Sequence, residues 1–388
     1  MNFPALRFKN QKNENYPEWK KVKFWDAVSM ASSLVNPKES QYSNLLHVGP
    51  ANIEKWSGTL LPCKTAKDEG LTSGKYLFDS ECIVYSKIRP ELSKATIPGF
   101  VGLCSADAYP LKPKPGILPE IILYQILNNR FYRFVTTTSA RTKMPKVNQD
   151  ELSLFDFYIP CVEEQREIAN LFKLIEKKIE LQTKKIEKIK KIQSNIVEKE
   201  LSKEYPTKKL SEILKEKKEY SKKGLDYPHV TLSKDGIYDK GDRYNRDFLV
   251  KSDEKKYKIT KLNDLCYNPA NLKFGVICLN EYGSAIFSPI YVTFEINREI
   301  ANPKYIKYYV TRKKFINEVR KYEQGTVYER MSVSPDDFIK FSIKIPTLKE
   351  QELIVNKLSI IDNKLKLEEL KLEKLKELKK GLMQNMFV

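Results

Sequence analysis

Two heptad patterns of apolar residues, 186 positions apart, constrain this chain more than any other feature of its 388 residues. The first begins at Ile168 and the second at Ile354. Apolar side chains that recur in steps of four and three residues are typical of a coiled-coil seam. The first seam contains Ile168, Phe172, Ile175, Ile179, Ile186 and Ile189, and the second contains Ile354, Leu358, Ile361, Leu365, Leu372 and Leu375.

Polar residues interrupt both seams at the same two steps. Gln182 and Gln193 interrupt the first seam, and Glu368 and Lys379 stand at the matching positions of the second. Unrelated heptads would not share their interruptions, so the pattern indicates an internal duplication. Two helices packed separately on their own domains would be an alternative, but so narrow and long a stripe favours a coiled coil.

The same short motif precedes each seam. Ile-Pro-x-x-x-Glu-Gln occupies Ile159–Gln165 and Ile345–Gln351. Proline cannot continue a preceding helix, and carboxylates are favourable in a first helical turn. The motif therefore predicts two helix starts, each followed by roughly 35 helical residues, about 50 Å in length.

The duplication extends into the segments between the helices. Residues 119–135 match 303–319 and predict a short amphipathic helix in each half, while 147–160 match 333–346 and predict a strand. Strand-like stretches lie at 81–88, 98–104, 264–269, 274–279 and 289–296. The predicted fold is two α/β domains that alternate with two long helices. The predicted boundaries are 1–158, 159–204, 205–344 and 345–388 for domain, helical spacer, domain and helical spacer.

The positive charge is concentrated in the predicted domains. The net charge is +19 in total, with +6 on residues 1–162, +9 on 205–347 and +2 on each helical segment. An excess of this kind is typical of proteins that bind polyanions, most often nucleic acid. Lysine richness without any partner is the simpler alternative.

Polar and basic turns in both domains supply candidate DNA contacts. Such side chains can bind phosphates or base edges. The candidates in the first domain are Ser86, Lys87, Arg89, Lys112, Lys114, Thr137, Thr138, Arg141 and Lys143. Those in the second are Arg243, Tyr244, Asn245, Arg246, Asn268, Asn271, Lys273, Gln324, Thr326, Tyr328 and Arg330.

Enzyme motifs are not evident in the sequence. The segment Asn268–Asn271 departs from the Asn-Pro-Pro-aromatic motif of amino-methyltransferases at both last positions, and no Gly-rich loop or ATP-binding loop accompanies it. The six cysteines form no C-x-x-C pair, which favours buried thiols over a metal site or disulfides. No apolar run is long enough to span a bilayer and no secretory signal begins the chain, so we expect a cytoplasmic protein.

The duplicated Ile-Pro-x-x-x-Glu-Gln motif, the two seams and the divergent domains between them resemble the specificity subunit of type I restriction–modification enzymes. The likeness runs from about Tyr16 to the C-terminus. It implies that the two helices pack as an antiparallel coiled coil. It also implies that each domain is a target recognition domain, which reads one half of a split duplex DNA site.

The resemblance also implies partners. Two methyltransferase subunits and the restriction subunits would assemble on the chain, which would perform no catalysis and bind no cofactor. S-adenosylmethionine, ATP and magnesium would be bound by those partners. Two other hypotheses remain open from the residues alone: a DNA-modifying enzyme with an unrecognised active site, or a coiled-coil scaffold that binds RNA or protein.

Overall fold

A computed structural model of the chain describes residues 4–139, 145–222, 226–239, 256–321 and 332–387. Contacts within the chain divide it into two compact units. The first unit comprises residues 1–183 and 370–388, and the second comprises residues 184–369. Each unit therefore contains part of both predicted long helices.

The described residues of the first unit form ten short strands and five short α-helices. The strands are β1 Lys20–Lys23, β2 Val28–Met30, β3 Leu34–Val35, β4 His47–Val48, β5 Lys75–Phe78, β6 Ile83–Ser86, β7 Ala95–Thr96, β8 Gly102–Cys104, β9 Ala108–Pro113 and β10 Asp156–Ile159. The helices are α1 Phe24–Ala27, α2 Ser40–Ser43, α3 Pro119–Ile126, α4 Asn129–Ser139 and α5 Gln149–Ser153. The long helix α6 then covers Val162–Leu201.

Two four-stranded sheets and one strand pair form the framework of the first unit. The sheets have the orders β2-β9-β6-β7 and β3-β5-β8-β4, and β1 pairs with β10. All these pairings are antiparallel except β4 with β8. The core lies under α3 and includes the fully buried side chains of Phe24, Phe131 and Phe157.

The second unit repeats part of this plan. Its strands are β11 Thr207–Lys209, β12 Leu214–Glu216, β13 Tyr220–Lys222, β14 Val230–Ser233, β15 Gly236–Asp239, β16 Lys256–Thr260, β17 Leu265–Tyr267, β18 Ile277–Leu279, β19 Ala285–Phe287, β20 Val292–Ile296 and β21 Ser342–Lys344. Its short helices are α7 Leu210–Ile213, α8 Pro303–Val310, α9 Lys313–Arg320 and α10 Pro335–Phe338. The long helix α11, Leu348–Asn385, begins in the second unit and ends in the first.

The pairings in the second unit match those in the first at two places. Strands β11 and β21 pair as β1 and β10 do, and the sheet β12-β20-β17-β18 has the same order of elements as β2-β9-β6-β7. Two further sheets, β13-β16-β19 and β14-β15, have their own arrangement. The common framework and the divergent additions agree with a duplication followed by separate change.

Both long helices are present, with 40 residues in α6 and 38 in α11. Every seam position named from the sequence is buried or half-buried, including the polar interruptions. Within the second unit, Glu200 pairs with Lys357, Gln193 with Asp362 and Lys185 with Glu368. Because the partner's number falls as the α6 number rises, these segments run antiparallel.

Two sequence-based expectations about local structure need correction, each in both halves of the chain. Residues 119–135 and 303–319 each form two helices, because the chain breaks at Asn128 and at Arg312. The side chain of Asn128 accepts a hydrogen bond from the amide of Arg130 and so begins a new helix. The segments predicted as strands from 147 and 333 open with the short helices α5 and α10 before β10 and β21 begin.

Candidate nucleic-acid interface

Each unit places one turn at the end of its central strand. Strand β6 leads to a 3-10 turn at Pro90–Leu92, and β17 leads to one at Pro269–Phe274. The amide of Val147 donates to the carbonyl of Lys87 at 2.9 Å, and that of Val333 donates to the carbonyl of Pro269 at 3.3 Å. The two predicted loops thus occupy equivalent places in their units. Each is joined by a backbone hydrogen bond to the segment that follows α4 or α9.

In the first unit, this turn exposes one cation and half-buries another. Arg89 is exposed and has a left-handed backbone with φ of 51°. The ammonium of Lys87 lies 5.0 Å from the ring centre of Tyr109. Burial lowers the pKa of Lys87, and the nearby charge of Lys146 lowers it further. Adding a phosphate would relieve that repulsion, which favours an anion at this turn.

Helix α4 lies against the same turn and contains two of the candidate residues, Thr137 and Thr138. Thr137 is exposed, and the hydroxyl of Thr138 donates to the carbonyl of Phe134 at 2.8 Å. Thr138 is therefore committed to its own helix, whereas Thr137 is available for contact. The remaining candidates lie outside the described residues: Arg141, Lys143, Arg243, Tyr244, Asn245, Arg246, Gln324, Thr326, Tyr328 and Arg330.

Two candidates are buried and have internal partners. Ser86 is 1% exposed, and its hydroxyl donates to the carbonyl of Ile88 at 2.9 Å. Asn268 is 7% exposed, and its side chain accepts from the amide of Ala270 at 3.1 Å. The structure argues against direct DNA contact by either side chain and gives both a role in shaping the turn.

Lys112 and Lys114 lie away from the turn. In the antiparallel pair of β6 and β9, Ser86 faces Ala108, whereas Leu111 faces Ile83 at the other end of β6. Lys112 comes after Leu111 and forms an ion pair with Asp79. These two lysines therefore do not share a surface with Arg89, although the sequence suggested one group.

In the second unit, the turn presents an amide, a cation and an aromatic ring. Asn271 is exposed, and the ammonium of Lys273 lies 5.6 Å from the ring centre of Phe274. Phe274 is 68% exposed and was missed by the sequence analysis. The signal was its place immediately before Gly275, whose φ of 78° ends the turn.

The glutamine of the Ile-Pro-x-x-x-Glu-Gln motif has a structural explanation in the first unit. Gln165 is 1% exposed. Its Oε1 accepts from the amide of Leu118 at 2.8 Å, and its Nε2 donates to the carbonyls of Gly116 and Pro160, both at 3.0 Å. One side chain thus binds the start of α6 to the segment before α3.

Gln351 makes the same three bonds in the second unit. Its Oε1 accepts from the amide of Asn302 at 2.7 Å, and its Nε2 donates to the carbonyls of Ile300 at 3.0 Å and Pro346 at 2.8 Å. We call Gln165 and Gln351 the clamp glutamines. They hold the segment before α3 or α8 to the start of the long helix in the same half, a role that spacing alone could not reveal.

A second apolar stripe runs along the exposed side of each long helix. All its members are more than half exposed, and each in α6 has an apolar equivalent in α11 at an offset of 186. The pairs are Leu174 with Ile360, Leu181 with Leu367, and Ile192 with Leu378. Exposed apolar stripes of this length are typical of surfaces that bind another protein.

The described residues offer little for cofactor chemistry. Among them, no group of three or more His, Cys, Asp or Glu side chains is arranged to hold a metal ion. All six cysteines are free thiols. Within the described part of the chain, no helix is long and apolar enough to cross a membrane.

Comparison with known proteins identifies the domain that carries the first turn. Residues 29–191 match the family model of the type I restriction modification DNA specificity domain. A curated relative, the type I restriction enzyme EcoDI specificity subunit of Escherichia coli, is 36% identical over 173 residues. That match covers 43% of this chain and 38% of the relative, so it spans well under half of the relative's length.

Solved structures resemble the chain over nearly its whole length. A chain from a study of complex assembly and conformational transition of the type I R-M system has a TM-score of 0.57 at 13% identity, covering 95% of this chain and 97% of its own. The type I S subunit from M. genitalium has a TM-score of 0.54 at 14% identity, covering 100% and 99%. These likenesses show the fold. Residues 29–191 are thus similar in sequence to the type I restriction modification DNA specificity domain.

Proposed function

We propose that this chain is the subunit that gives a type I restriction–modification complex its DNA sequence specificity. It recognises a bipartite duplex site, with one half read by residues 1–158 and the other by residues 205–344. The central observation is that equivalent turns, tied down by equivalent bonds, present different side chains in the two units. A common support with different contact groups suits two separate half-sites.

The first recognition domain contacts DNA mainly through cations. Arg89, Lys87 and Thr137 surround one turn, where they can bind phosphates and position the domain on the duplex. The second domain contacts DNA through Asn271, Lys273 and Phe274. An amide can read adenine in the major groove, and an apolar ring can contact the thymine methyl group.

The two spacer segments, 159–204 and 345–388, set the distance between the half-sites. They pair as an antiparallel coiled coil along their apolar seams. A helix of about 50 Å spans roughly 15 base pairs at 3.4 Å each. Half-sites about one DNA turn apart are then within reach.

The same helices bind the partner proteins. The exposed apolar stripe occurs once on each helix with the same spacing, which suits two copies of one partner, the methyltransferase subunit. The restriction subunits join this assembly. S-adenosylmethionine, ATP and magnesium are bound by those partners, and the complex acts in the cytoplasm, where its DNA is.

Methyl transfer and DNA binding test the proposal together. The purified chain should transfer no methyl group alone, and should direct a methyltransferase partner to a two-part site. Log affinity for duplex DNA should fall linearly with log salt concentration, with a slope of several units, since each phosphate contact contributes about −0.9. A flat salt profile, or stronger competition by RNA than by duplex DNA, would contradict the proposal.

A further inference from the structure

A polar junction in the first unit joins both long helices to the recognition domain. Lys379 of α11 interrupts the second seam and is 8% exposed. Its ammonium lies 2.8 Å from a carboxylate oxygen of Glu176 on α6 and donates to the carbonyl of Ser57 at 2.7 Å. The hydroxyl of Tyr124 on α3 donates to the same carboxylate at 3.2 Å. We call Tyr124, Glu176 and Lys379 the first junction.

The second unit contains a junction of the same form. Gln193 of α6 interrupts the first seam and donates through Nε2 to the carboxylate of Asp362 on α11. The hydroxyl of Tyr308 on α8 donates to the other oxygen of that carboxylate at 2.6 Å. Burial raises the pKa of the Tyr308 hydroxyl, and the carboxylate raises it further, so the tyrosine remains a donor. We call Tyr308, Asp362 and Gln193 the second junction.

The two junctions are equivalent member by member. Each contains a tyrosine from α3 or α8 and a carboxylate from the long helix of the same half. The third member is a polar residue that interrupts the apolar seam of the other long helix. The tyrosines differ by 184 positions, and the carboxylates and the interruptions by 186. The shared polar interruptions noticed in the sequence therefore have partners, and those partners are duplicated as well.

A polar group within a coiled-coil seam lowers stability but specifies which register is populated. A slip by one heptad would bring Lys379 opposite Ala169 or Thr183, depending on direction, and neither is a carboxylate. Glu176 would then lose its lysine while Tyr124 still faced it. Of these three registers, only the observed one places a carboxylate opposite Lys379.

We propose that these junctions are positioning residues: they fix the heptad register of α6 against α11, and through it the spacer length that the complex accepts between its half-sites. This inference rests on the proposed function. The junctions contact no DNA base in this scheme. They act through the helix register, which a slip of one heptad would change by about 10 Å, near three base pairs.

The test replaces the junction pairs by leucine in the full chain. The variant carries Glu176→Leu, Lys379→Leu, Asp362→Leu and Gln193→Leu. Apolar pairs in a seam preserve packing and often stability, so this variant should fold. The matched control is Lys190→Leu with Glu369→Leu, which removes a cross-helix ion pair of about half-exposed side chains outside the seam.

Selection of sites from random duplex DNA gives the first readout. Wild type and control should enrich one spacer length by about tenfold over neighbouring lengths, which corresponds to about 1.4 kcal/mol. The leucine variant should select the same half-sites with an enrichment of about twofold or less. A folded leucine variant that retains the wild-type spacer preference would overturn the inference.

A charge reversal provides the second arm, in case the leucine variant does not fold. Glu176→Lys alone should lose the spacer preference, and Glu176→Lys with Lys379→Glu should restore it. If the single variant retains the preference, the register is set elsewhere and the inference is overturned.

A distance measurement separates this inference from the proposed function. Nitroxide-bearing residues at Lys188 and Lys366, both exposed, report the helix register by pulsed electron resonance without DNA. Wild type should give one narrow distance, and the leucine variant a second population after a slip of about 10 Å. If wild type selects no DNA but shows this difference, the proposed function fails and the register assignment stands. A single unchanged distance in the folded variant overturns the register assignment.

Discussion

The two units of this protein use the same residue type to hold each domain to its long helix, but their equivalent turns carry different side chains. Gln165 and Gln351 make matching sets of three hydrogen bonds. By contrast, the turn after β6 offers Arg89 and the equivalent turn after β17 offers Asn271 and Phe274. The glutamines that hold the domains to the helices are the same in both units, and the side chains of the two turns are not.

The difference also appears where each long helix ends. The side chain of Asn128 donates to the carbonyl of Met383 near the end of α11 at 2.9 Å, whereas Arg312 donates to the carbonyl of Leu201 at the end of α6 at 3.3 Å. Both satisfy carbonyls that a helix end leaves without partners. Each half thus has a contact from the residue between its two short helices to a carbonyl in the last turn of a long helix, while the donor residue differs.

Exchanging one of the two proposed recognition domains should have the largest effect on DNA recognition. Replacing residues 16–145 with the equivalent domain of a relative should change one half of the recognised site completely and leave the other half unchanged. The physical reason is that the supports are common, while the contact turns are separate. Site selection from random duplex DNA measures this. A folded chimera that altered both half-sites would show that the domains do not read independently.

Removing a clamp glutamine should strongly destabilise its unit. Gln165→Leu or Gln351→Leu leaves one amide and two carbonyls without that partner, at about 1–3 kcal/mol for each group that stays buried and unsatisfied. Denaturant unfolding and hydrogen exchange of each unit would measure the loss. The matched control is Gln41→Leu, at an exposed glutamine whose amide donates to Glu39. We expect similar losses of unfolding free energy for Gln165→Leu and Gln351→Leu. An unchanged stability in either variant would show that the two glutamines do not have equivalent roles.

Substitutions in the two turns should distinguish side chains that contact bases from side chains that contact phosphates. Phe274→Ala should lower affinity by about 1–2 kcal/mol and relax sequence preference in one half-site only, because a ring that contacts bases carries sequence information. Leu262→Ala is the control, at an exposed apolar residue before the other end of β17. Competition binding with mismatched sites measures the effect, and an equal loss on all sequences would exclude a reading role.

Arg89→Ala should act differently. A phosphate contact carries no sequence information, so affinity should fall on all duplexes alike, and the slope of log affinity against log salt should decrease in magnitude by about one. Lys112→Ala, on the far end of the strand pair, should leave that slope unchanged. Sequence-dependent loss at Arg89 would instead assign it to base contact.

The smallest expected effect concerns acid stability at one helix end. Hydrogen bonds from Lys203 and Lys357 hold the pKa of Glu200 below its ordinary value. A carboxyl with a depressed folded pKa contributes stability above its unfolded pKa and loses it as pH falls through the folded value. The equivalent position in the first unit is the buried Met386, which cannot titrate.

Glu200→Gln should therefore lower the melting temperature at pH 7 by at most about 2–4 °C, with a smaller difference at pH values below the ordinary glutamate range. Melting curves from pH 7 to pH 3 measure this. Met386→Leu is the control and should show no such dependence on pH. A Glu200→Gln difference that is constant with pH would contradict the ionic explanation.

The sequence predicted the supports better than the contacts, for physical reasons. Heptad spacing depends on local geometry alone, so Ile168, Phe172 and their equivalents were found from the pattern, and all are buried. The break at Asn128 escaped prediction because a cap within an amphipathic pattern resembles its continuation. Lys112 was listed with Arg89 as a basic residue of the first domain, and the sequence does not show that the two lie toward opposite ends of a strand pair.

Roles that depend on tertiary partners could not be predicted from one sequence. Gln165 was visible only as part of a motif, since its bonds join segments separated by 47 and 49 positions. The burial of Ser86 depends on how β6 packs, and the exposure of Phe274 depends on Gly275 ending the turn. The sequence did not show which polar candidates are buried, and so it could not separate Ser86 and Asn268 from the exposed candidates.

Selection of binding sites by the wild-type chain, alone and with its methyltransferase partner, is the decisive test of two-part DNA recognition. We expect two short fixed blocks separated by a spacer of unspecified sequence and one preferred length. Each block should respond to substitutions in one unit only: Phe274→Ala should affect one block and leave the other. A single continuous site, or no enrichment of duplex DNA over RNA, would contradict the account.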